Sequence, residues 1–366
     1  MTTPTMPALR IGDLVISPPI IQGAMGVRVS RSGLAAAVAN EGCVGMIASV
    51  GLGDYEHASD ANLNNVSNEA LRDEIREARA LAPNGIIGVN VMTVLSNFAG
   101  LIGICVEEEV DLIVCGAGLP LDLPKYLKGK DIKLVPIVSS ARALNIICRK
   151  WKQQYDRLPD AVIVEGPEAG GHLGYSFDDL QHHTAPTLEQ LVTELVAFTR
   201  TLDRPIPVIA AGGIFDGADI ARFLKLGASG VQMATRFVCT DECDVHPKFK
   251  QAYLDAGKED TLIINSPVGL PGRVIRNEFV DRVPGRGRGP VHLPAPLSED
   301  LRPEHGPLLH RESAGRRLTR RFRRRVRVRR VERLPVHRDR PGEETHRATF
   351  CGTARQPAGH RPCMTR

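Results

Sequence analysis

No stretch of this 366-residue chain approaches the roughly 18 consecutive apolar residues that a membrane span needs, and Met1 to Pro19 lack the apolar core of a signal peptide. Both absences predict a soluble protein of the cytoplasm that works without a membrane. Cysteine is thinly spread. Of the 8 present, Cys43, Cys105, Cys115 and Cys148 sit inside apolar runs, as buried thiols of a reducing compartment do. Cys239 and Cys243 form a single x3-spaced pair with no second pair nearby, so a metal site is not expected. Basic residues are outnumbered through most of the chain: residues 1–280 carry 25 Lys and Arg against 33 Asp and Glu, which argues against a nucleic-acid surface there. Lysine then disappears. Residues 281–366 hold 22 Arg, no Lys and 9 acidic residues, so the formal net charge of +5 combines a mildly acidic body with a strongly basic end.

What is present is a steady beat of short apolar runs and helical patterns. The runs predicted as strands are Pro18–Gln22, Val44–Ser49, Gly85–Met92, Asp111–Cys115, Lys133–Val138, Ala161–Val164, Ile206–Ala210 and Gly230–Ala234. Helices are predicted after them at Ser32–Glu41, Asn68–Leu81, Phe98–Glu109, Leu121–Lys128, Ala141–Gln154, Thr187–Leu202, Asp216–Leu226 and Pro247–Ala256. Strands that are apolar throughout, each followed by an amphipathic helix, imply a parallel sheet covered by helices. Eight such units in roughly 240 residues match a closed (β/α)8 TIM barrel better than an open doubly wound sheet. The open sheet would want a G-x-G-x-x-G loop after its first strand. Gly23-Ala24-Met25-Gly26 does not supply one, and Gly116-Ala117-Gly118 lacks the third glycine. The expected organisation is a barrel over residues 1–280 with a C-terminal extension over residues 281–366.

A barrel predicts that chemistry sits just after its strands, with a phosphate site made by the loops after the seventh and eighth. After the seventh predicted strand comes Ala211-Gly212-Gly213-Ile214, opening a helix at Asp216; after the eighth comes Gln232-Met233-Ala234-Thr235-Arg236. Glycines exposing backbone N–H groups at a helix N-terminus favour an anion, and Thr235 adds a hydroxyl. The plainer reading is that these glycines serve only tight turns. After the sixth strand, Glu165-Gly166-Pro167-Glu168-Ala169-Gly170-Gly171-His172 is a glycine-bent loop ending in an imidazole. Either the Gly170–Gly171 pair lets backbone approach a flat ligand and His172 is the candidate for proton chemistry near neutral pH, or the glycines serve only the turn and His172 caps a helix or faces water. Gln22, Gly23, Ala24 and Met25 follow the first strand. Asn90 ends the third, where its amide either pairs with a heteroaromatic edge or is satisfied in the core. Glu165 either holds a ribityl hydroxyl or a ring nitrogen, or caps its loop, and Met25 and Met233 are packing residues whose apolar faces also suit a planar ring.

Taken together, Pro19 to Gly26 (PIIQGAMG), Gly88 to Met92 (GVNVM), Glu165 to Gly174 (EGPEAGGHLG), Ile209 to Ile214 (IAAGGI) and Gly230 to Phe237 (GVQMATRF) resemble the nitronate monooxygenase family, formerly 2-nitropropane dioxygenases. The flavin-dependent enoyl-acyl-carrier-protein reductase II is close kin. The resemblance implies an FMN enzyme on a TIM barrel, with Asn90, Glu165, Gly170, Gly213 and Gln232 to Thr235 contacting FMN, Met25 near its ring and His172 at the flavin face. It also implies a substrate, an alkyl nitronate, oxidised with O2 to a carbonyl compound and nitrite, His172 binding the nitronate oxygens or moving a proton at the substrate carbon. The alternative within the resemblance is an NAD(P)H-dependent enoyl-thioester reductase. Neither calls for a nucleic acid or a membrane.

From Pro284 onward the composition breaks with this pattern. Arg, Pro and Gly without Lys are what G/C-rich DNA encodes in a shifted frame, and that is the reading favoured for residues 281–366. A disordered extension and a basic tail built on Arg320–Arg330 compete with it. Members of the resembled family close their site after the barrel with an ordered, partly Cys-containing segment. If that segment is absent here, FMN binding survives on the barrel loops while substrate enclosure suffers.

Overall fold

The computed structural model describes residues 6–53, 62–266, 269–277 and 280–281. An antiparallel hairpin, β1 (Leu9–Ile11) and β2 (Leu14–Ile16), comes first, turning at Gly12 with φ +61°. The barrel strands follow: β3 (Ile20–Gln22), β4 (Val44–Ala48), β5 (Ile86–Met92), β6 (Leu112–Gly116), β7 (Lys133–Val138) and β8 (Val162–Glu165). After a two-residue strand outside the barrel, β9 (Gly171–His172), come β10 (Val208–Ala211) and β11 (Gly230–Met233). All barrel pairings are parallel, neighbours follow chain order, and β11 closes on β3 through Val231↔Ile20. This is the (β/α)8 TIM barrel expected from the alternation of apolar runs.

Helices cover the outside: α1 (Ser32–Asn40), α2 (Leu63–Leu81), α3 (Phe98–Glu107), α4 (Ala141–Tyr155), α5 (Phe177–Gln181), α6 (Leu188–Thr199), α7 (Gly217–Lys225), α8 (Thr235–Val238) and α9 (Pro247–Asp255). The cores explain why the strands carry no polar alternation. One apolar cluster fills the bore, with Ile21, Val44, Met46, Leu112, Val114, Val135, Ile163 and Ile209. Another lies between strands and helices and takes the alternate residues, such as Val89, Ile113, Val164 and Val231. Both faces of each strand are buried, so both must be apolar. Each such Val, Leu or Ile contributes about 1.5–3 kcal/mol by leaving water.

Three features depart from the expected plan. The segment Leu121–Lys128 holds one 3-10 turn, Leu123–Tyr126, rather than a helix, because Pro120 and Pro124 remove donors and Gly129 turns the chain at φ +86°. The β1–β2 hairpin, which the run pattern does not predict, sends Leu9, Ile11 and Ile16 into the bore cluster and seals the N-terminal end of the barrel. After the barrel, β12 (Thr261–Asn265) and β13 (Pro271–Ile275) form a second hairpin, and β13 pairs with β9 to make a three-stranded sheet. This sheet is ordered and lies before residue 281. Readings of the Arg-rich segment from residue 282 lie outside the described residues.

Candidate active site

Period-two alternation decides which residues look into the barrel mouth. On β5, Ile87, Val89 and Val91 belong to the helix-facing cluster, so Asn90 faces inward. On β8, Val162 and Val164 face the helices and Ile163 the bore, so Glu165 faces inward. On β11, Val231 and Met233 face the helices, which turns Gln232 inward. Asn90, Glu165 and Gln232 thus project from the C-terminal ends of three strands into one opening, each half-buried. Among the described residues, no hydrogen bond or ion pair reaches any of the three side chains. The buried hydroxyls of Ser49 and Thr93, at the exits of β4 and β5, are also without partners. Orphaned polar groups of this kind cost stability unless something outside the protein pairs with them.

Gln22 stands apart from that group. Ile21 takes the bore side of β3, and Gln22 is fully buried on the other, Nε2 donating to Ser30 Oγ at 2.7 Å and to Gly23 O at 3.1 Å while Oε1 accepts from Met46 N at 3.0 Å. Its side chain braces the β3 exit against β4 rather than facing the opening. Ser30 Oγ also accepts from Met25 N at 2.9 Å, which shapes the turn through Ala24 and Met25. Ala24 packs at the top of the bore, and Met25 and Met233 pack in the helix-facing cluster. Gly23 N donates to Met233 O at 2.6 Å, and a Cβ on Gly23 would come within 2.9 Å of the Ala234 Cβ. That contact joins the first exit to the eighth.

The β10 exit is built on close approach. Gly212 and Gly213 have φ of +100° and +73°, which favour glycine. A Cβ on Gly212 would lie 3.0 Å from Ala169 N, and one on Gly213 would lie 2.9 Å from Glu168 Cβ. Among the described residues, the amides of Gly213 and Ile214 donate to nothing within the protein. The helix that follows offers less than its position suggests. Asp216 caps α7 by accepting from Ala218 N and Asp219 N, and Asp219 accepts from Phe215 N at 2.9 Å, so these amides are already spent. At the β11 exit, the Thr235 hydroxyl makes no intraprotein bond among the described residues, and the Arg236 guanidinium lies 4.5 Å from the Phe215 ring centroid, bridging the two loops.

His172 sits on β9, exposed at the rim, and no hydrogen bond reaches its ring among the described residues. Neighbouring groups still desolvate the imidazole enough to hold its pKa below the ordinary value. Around Gly170 and Gly171 a Cβ would meet open space, leaving room beside the backbone. The loop closes on itself where the Tyr175 hydroxyl donates to Glu165 O at 2.7 Å, and Ser139 Oγ donates to Gly174 O at 3.1 Å. Burial pushes the Glu165 carboxyl up to about 7, so near neutral pH it divides between acid and carboxylate. Burial, with Glu165 adding, also raises the Tyr175 phenol, which stays protonated.

Of the residues singled out from the sequence, Asn90, Glu165, Gln232, Gly212, Gly213, Ala234, Thr235, Gly170, Gly171 and His172 all lie at the C-terminal end of the barrel. Ser49, Thr93, Tyr175 and Arg236 join them without a sequence signal beyond their place at strand exits. Among the described residues no three His, Cys, Asp or Glu side chains cluster as metal ligands, and the six cysteines there are free. No helix among them is long and apolar enough to cross a membrane.

Comparison with known proteins gives the family and the fold. A family model described as nitronate monooxygenase matches residues 9–299. A (3aS,4S,5R,7aS)-5-hydroxy-7a-methyl-1-oxo-octahydro-1H-indene-4-carboxyl-CoA dehydrogenase of Mycobacterium tuberculosis is 30% identical over 273 residues, 75% of this chain and 67% of that one. A probable nitronate monooxygenase of Staphylococcus saprophyticus is 33% identical over 194 residues, so the chain spans about half the length of that relative, 51%. Among solved structures, FabK from Thermotoga maritima is similar with a TM-score of 0.59 and 34% identity, over 75% of this chain and 76% of that one.

Proposed function

The chain belongs to the nitronate monooxygenase family and is an oxidoreductase, and we propose that it oxidises alkyl nitronates with O2 to a carbonyl compound and nitrite, using FMN. The observation that carries this is the inward set Asn90, Glu165 and Gln232, polar and unpaired around a single opening beside the free amides of the β10 exit and the free Thr235 hydroxyl. A flavin mononucleotide fits that donor set: it has a planar edge that both donates and accepts, a hydroxylated chain and a dianionic phosphate. Asn90 and Gln232 would pair with the ring edge, and Glu165 with a ring nitrogen or a ribityl hydroxyl. Gly212, Gly213, Ala234 and Thr235 would take the phosphate on backbone N–H groups and one hydroxyl. When bound, the flavin supplies the redox chemistry, taking electrons from the nitronate and passing them to O2.

The chain's own residues have narrower tasks. Gly170 and Gly171 leave open space beside the backbone that would keep a flavin face clear of side chains, and His172 would stand at its edge. Its lowered pKa leaves the imidazole largely neutral at pH 7, able to donate one hydrogen bond to a nitronate oxygen or, from a neutral nitroalkane, to accept the carbon proton and so release the nitronate. The β9–β13 pairing ties the His172 strand to the hairpin that follows the barrel. We propose further that residues 1–280 carry all of this and that residues 281–366 add nothing to it.

The purified protein should be yellow, with the absorbance of an oxidised flavin, and should consume O2 and release nitrite from propyl-2-nitronate without NAD(P)H. A preparation that stays colourless after soaking in FMN would end the reading. A second reading has its own support, since FabK and the M. tuberculosis CoA dehydrogenase are among the similar proteins. It is an NAD(P)H-dependent reductase of enoyl thioesters. NADH oxidation that requires an enoyl thioester, with no nitrite from nitronates, would favour it.

A further inference from the structure

The hairpin after the barrel reaches the imidazole loop in two ways. Its backbone pairs Gly272 with His172 and Arg273 with Gly171, and Leu173 N donates to Pro271 O at 2.9 Å. The Arg273 side chain then extends to the residues just before the imidazole. Its Nη1, which carries two N–H bonds, donates to Pro167 O at 2.5 Å and to Ala169 O at 2.7 Å. Among the described residues no carboxylate lies within ion-pair distance of this half-buried guanidinium. Its charge is met by those two carbonyl dipoles, and burial draws its pKa down with Glu168 opposing.

The same loop rests on its other side against the β10 exit, where Gly212 and Gly213 admit Ala169 and Glu168. Beyond the two-residue pairing with β13, nothing holds residues 170–172 in place: no side chain of the stretch makes a hydrogen bond among the described residues. The space around Gly170 and Gly171 is open, Gly171 has φ +76°, and the His172 ring has no hydrogen bond among the described residues. A glycine pair loses more backbone entropy on being fixed than any other dipeptide, so it needs a tie from outside. Two hydrogen bonds from a charged donor are a tie of suitable strength.

We propose that Arg273 is the positioning residue for His172: by holding the carbonyls of Pro167 and Ala169 it fixes how the loop enters β9, and so where the imidazole stands and how much water it meets. The proposal rests on the proposed function for what His172 does, but not for where it is held.

The test uses the full chain with Arg273→Met and Arg273→Lys, followed by amide hydrogen exchange in flavin-free protein. In Arg273→Met, the amides of residues 168–172 should exchange at least about tenfold faster while those of β6 do not change. Arg273→Lys, able to reach only part of the guanidinium geometry, should fall between, and guanidinium ion at non-denaturing concentration should slow the Met variant's loop again. With flavin and propyl-2-nitronate, kcat should fall more than KM changes. The acid limb of the rate profile should move up toward 6.5 as the ring gains water.

Loop exchange equal to wild type in Arg273→Met would overturn the proposal, and so would acceleration shared equally by β6, which marks general destabilisation. Should the Met variant fail to fold, the Lys variant decides: wild-type exchange and an unmoved acid limb overturn it. Faster loop exchange with an unmoved acid limb upholds the tie and instead removes His172 from the chemistry.

Discussion

At the N-terminal end of the barrel, β1 and β2 press Leu9, Ile11 and Ile16 into the bore, and the buried Lys133 ammonium meets Asp13 at 2.7 Å and Asp131 at 2.6 Å. Two grooves of about 430 and 300 Å³ open near that end, both lined by Lys130 and Asp131, but those charges are taken by Glu109 and Lys133. At the C-terminal end, Asn90, Glu165, Gln232, Ser49 and Thr93 stand without partners among the described residues, and the backbone turns left-handed at Gly171, Gly212 and Gly213. The same chain satisfies its polar groups at one end and leaves them open at the other. A fold keeps such a cost only where something else recovers it, so the difference locates the ligand better than cavity size does.

The sharpest way to break the comparison is to place the same change at both ends. Gly213→Asp puts a Cβ and a negative charge at a φ of +73° in the proposed phosphate loop, and it should abolish FMN retention. Gly129→Asp puts the same side chain at φ +86° on the sealed end, where a Cβ meets open space, and it should keep its flavin. Equal loss in both, read as the flavin-to-protein absorbance ratio, would mean that backbone strain rather than the phosphate decides. His172→Ala comes next in size. It should keep FMN yet lose about 10²–10⁴-fold in turnover, together with the acid limb that lies below 6.5 in wild type. A rate and pH profile matching wild type would leave the imidazole without a role.

How much of this was legible in the sequence depends on how local each signal is. The strand Lys133–Val138 could be delimited to the residue because a strand buried on both faces is an unbroken apolar run between polar ends. The pairing of β13 with β9 could not, since it joins segments about a hundred residues apart and each is short. Arg273 therefore carries no mark in the sequence, since its place beside the loop exists only through that pairing. Asn90, Glu165 and Gln232 were readable as polar residues closing apolar runs. Gln22 has the same appearance and faces the other way, because a run with both faces buried carries no mark of which residues turn inward. Ser49 and Thr93 were hidden by ordinariness: hydroxyls are common at strand exits, and only their lack of partners sets these two apart.

Glu165→Gln should have a smaller effect, and one whose sign depends on pH. Burial raises the carboxyl from 4.5 to about 7 in the folded protein. Between those values the unfolded chain has released its proton while the folded chain still holds it, so wild-type stability falls as pH rises across this window and then levels off. Gln has no proton to lose. In flavin-free protein the variant should therefore gain on wild type from pH 4.5 to above 7, reaching on the order of 3 kcal/mol, as read from urea unfolding at the two ends of the range. A constant difference would mean that the carboxyl is solvated or already paired.

The smallest effect belongs to the sealed end. Lys133→Met keeps the buried stem and removes the charge. Asp13 and Asp131 are largely exposed, and water takes them over when the ammonium leaves. Ion pairs with exposed partners contribute little, and Met recovers part of any loss by filling the same apolar channel. Stability should change by no more than about 1 kcal/mol, and flavin retention and turnover should not change at all. Asp13 has its pKa lowered by Lys133, so the wild-type pair holds above the ordinary Asp range and is lost as pH falls through the folded value. Any small advantage of wild type should accordingly be present at pH 7 and shrink in acid. Loss of flavin in Lys133→Met would couple the two ends, and the division of labour between them would no longer stand.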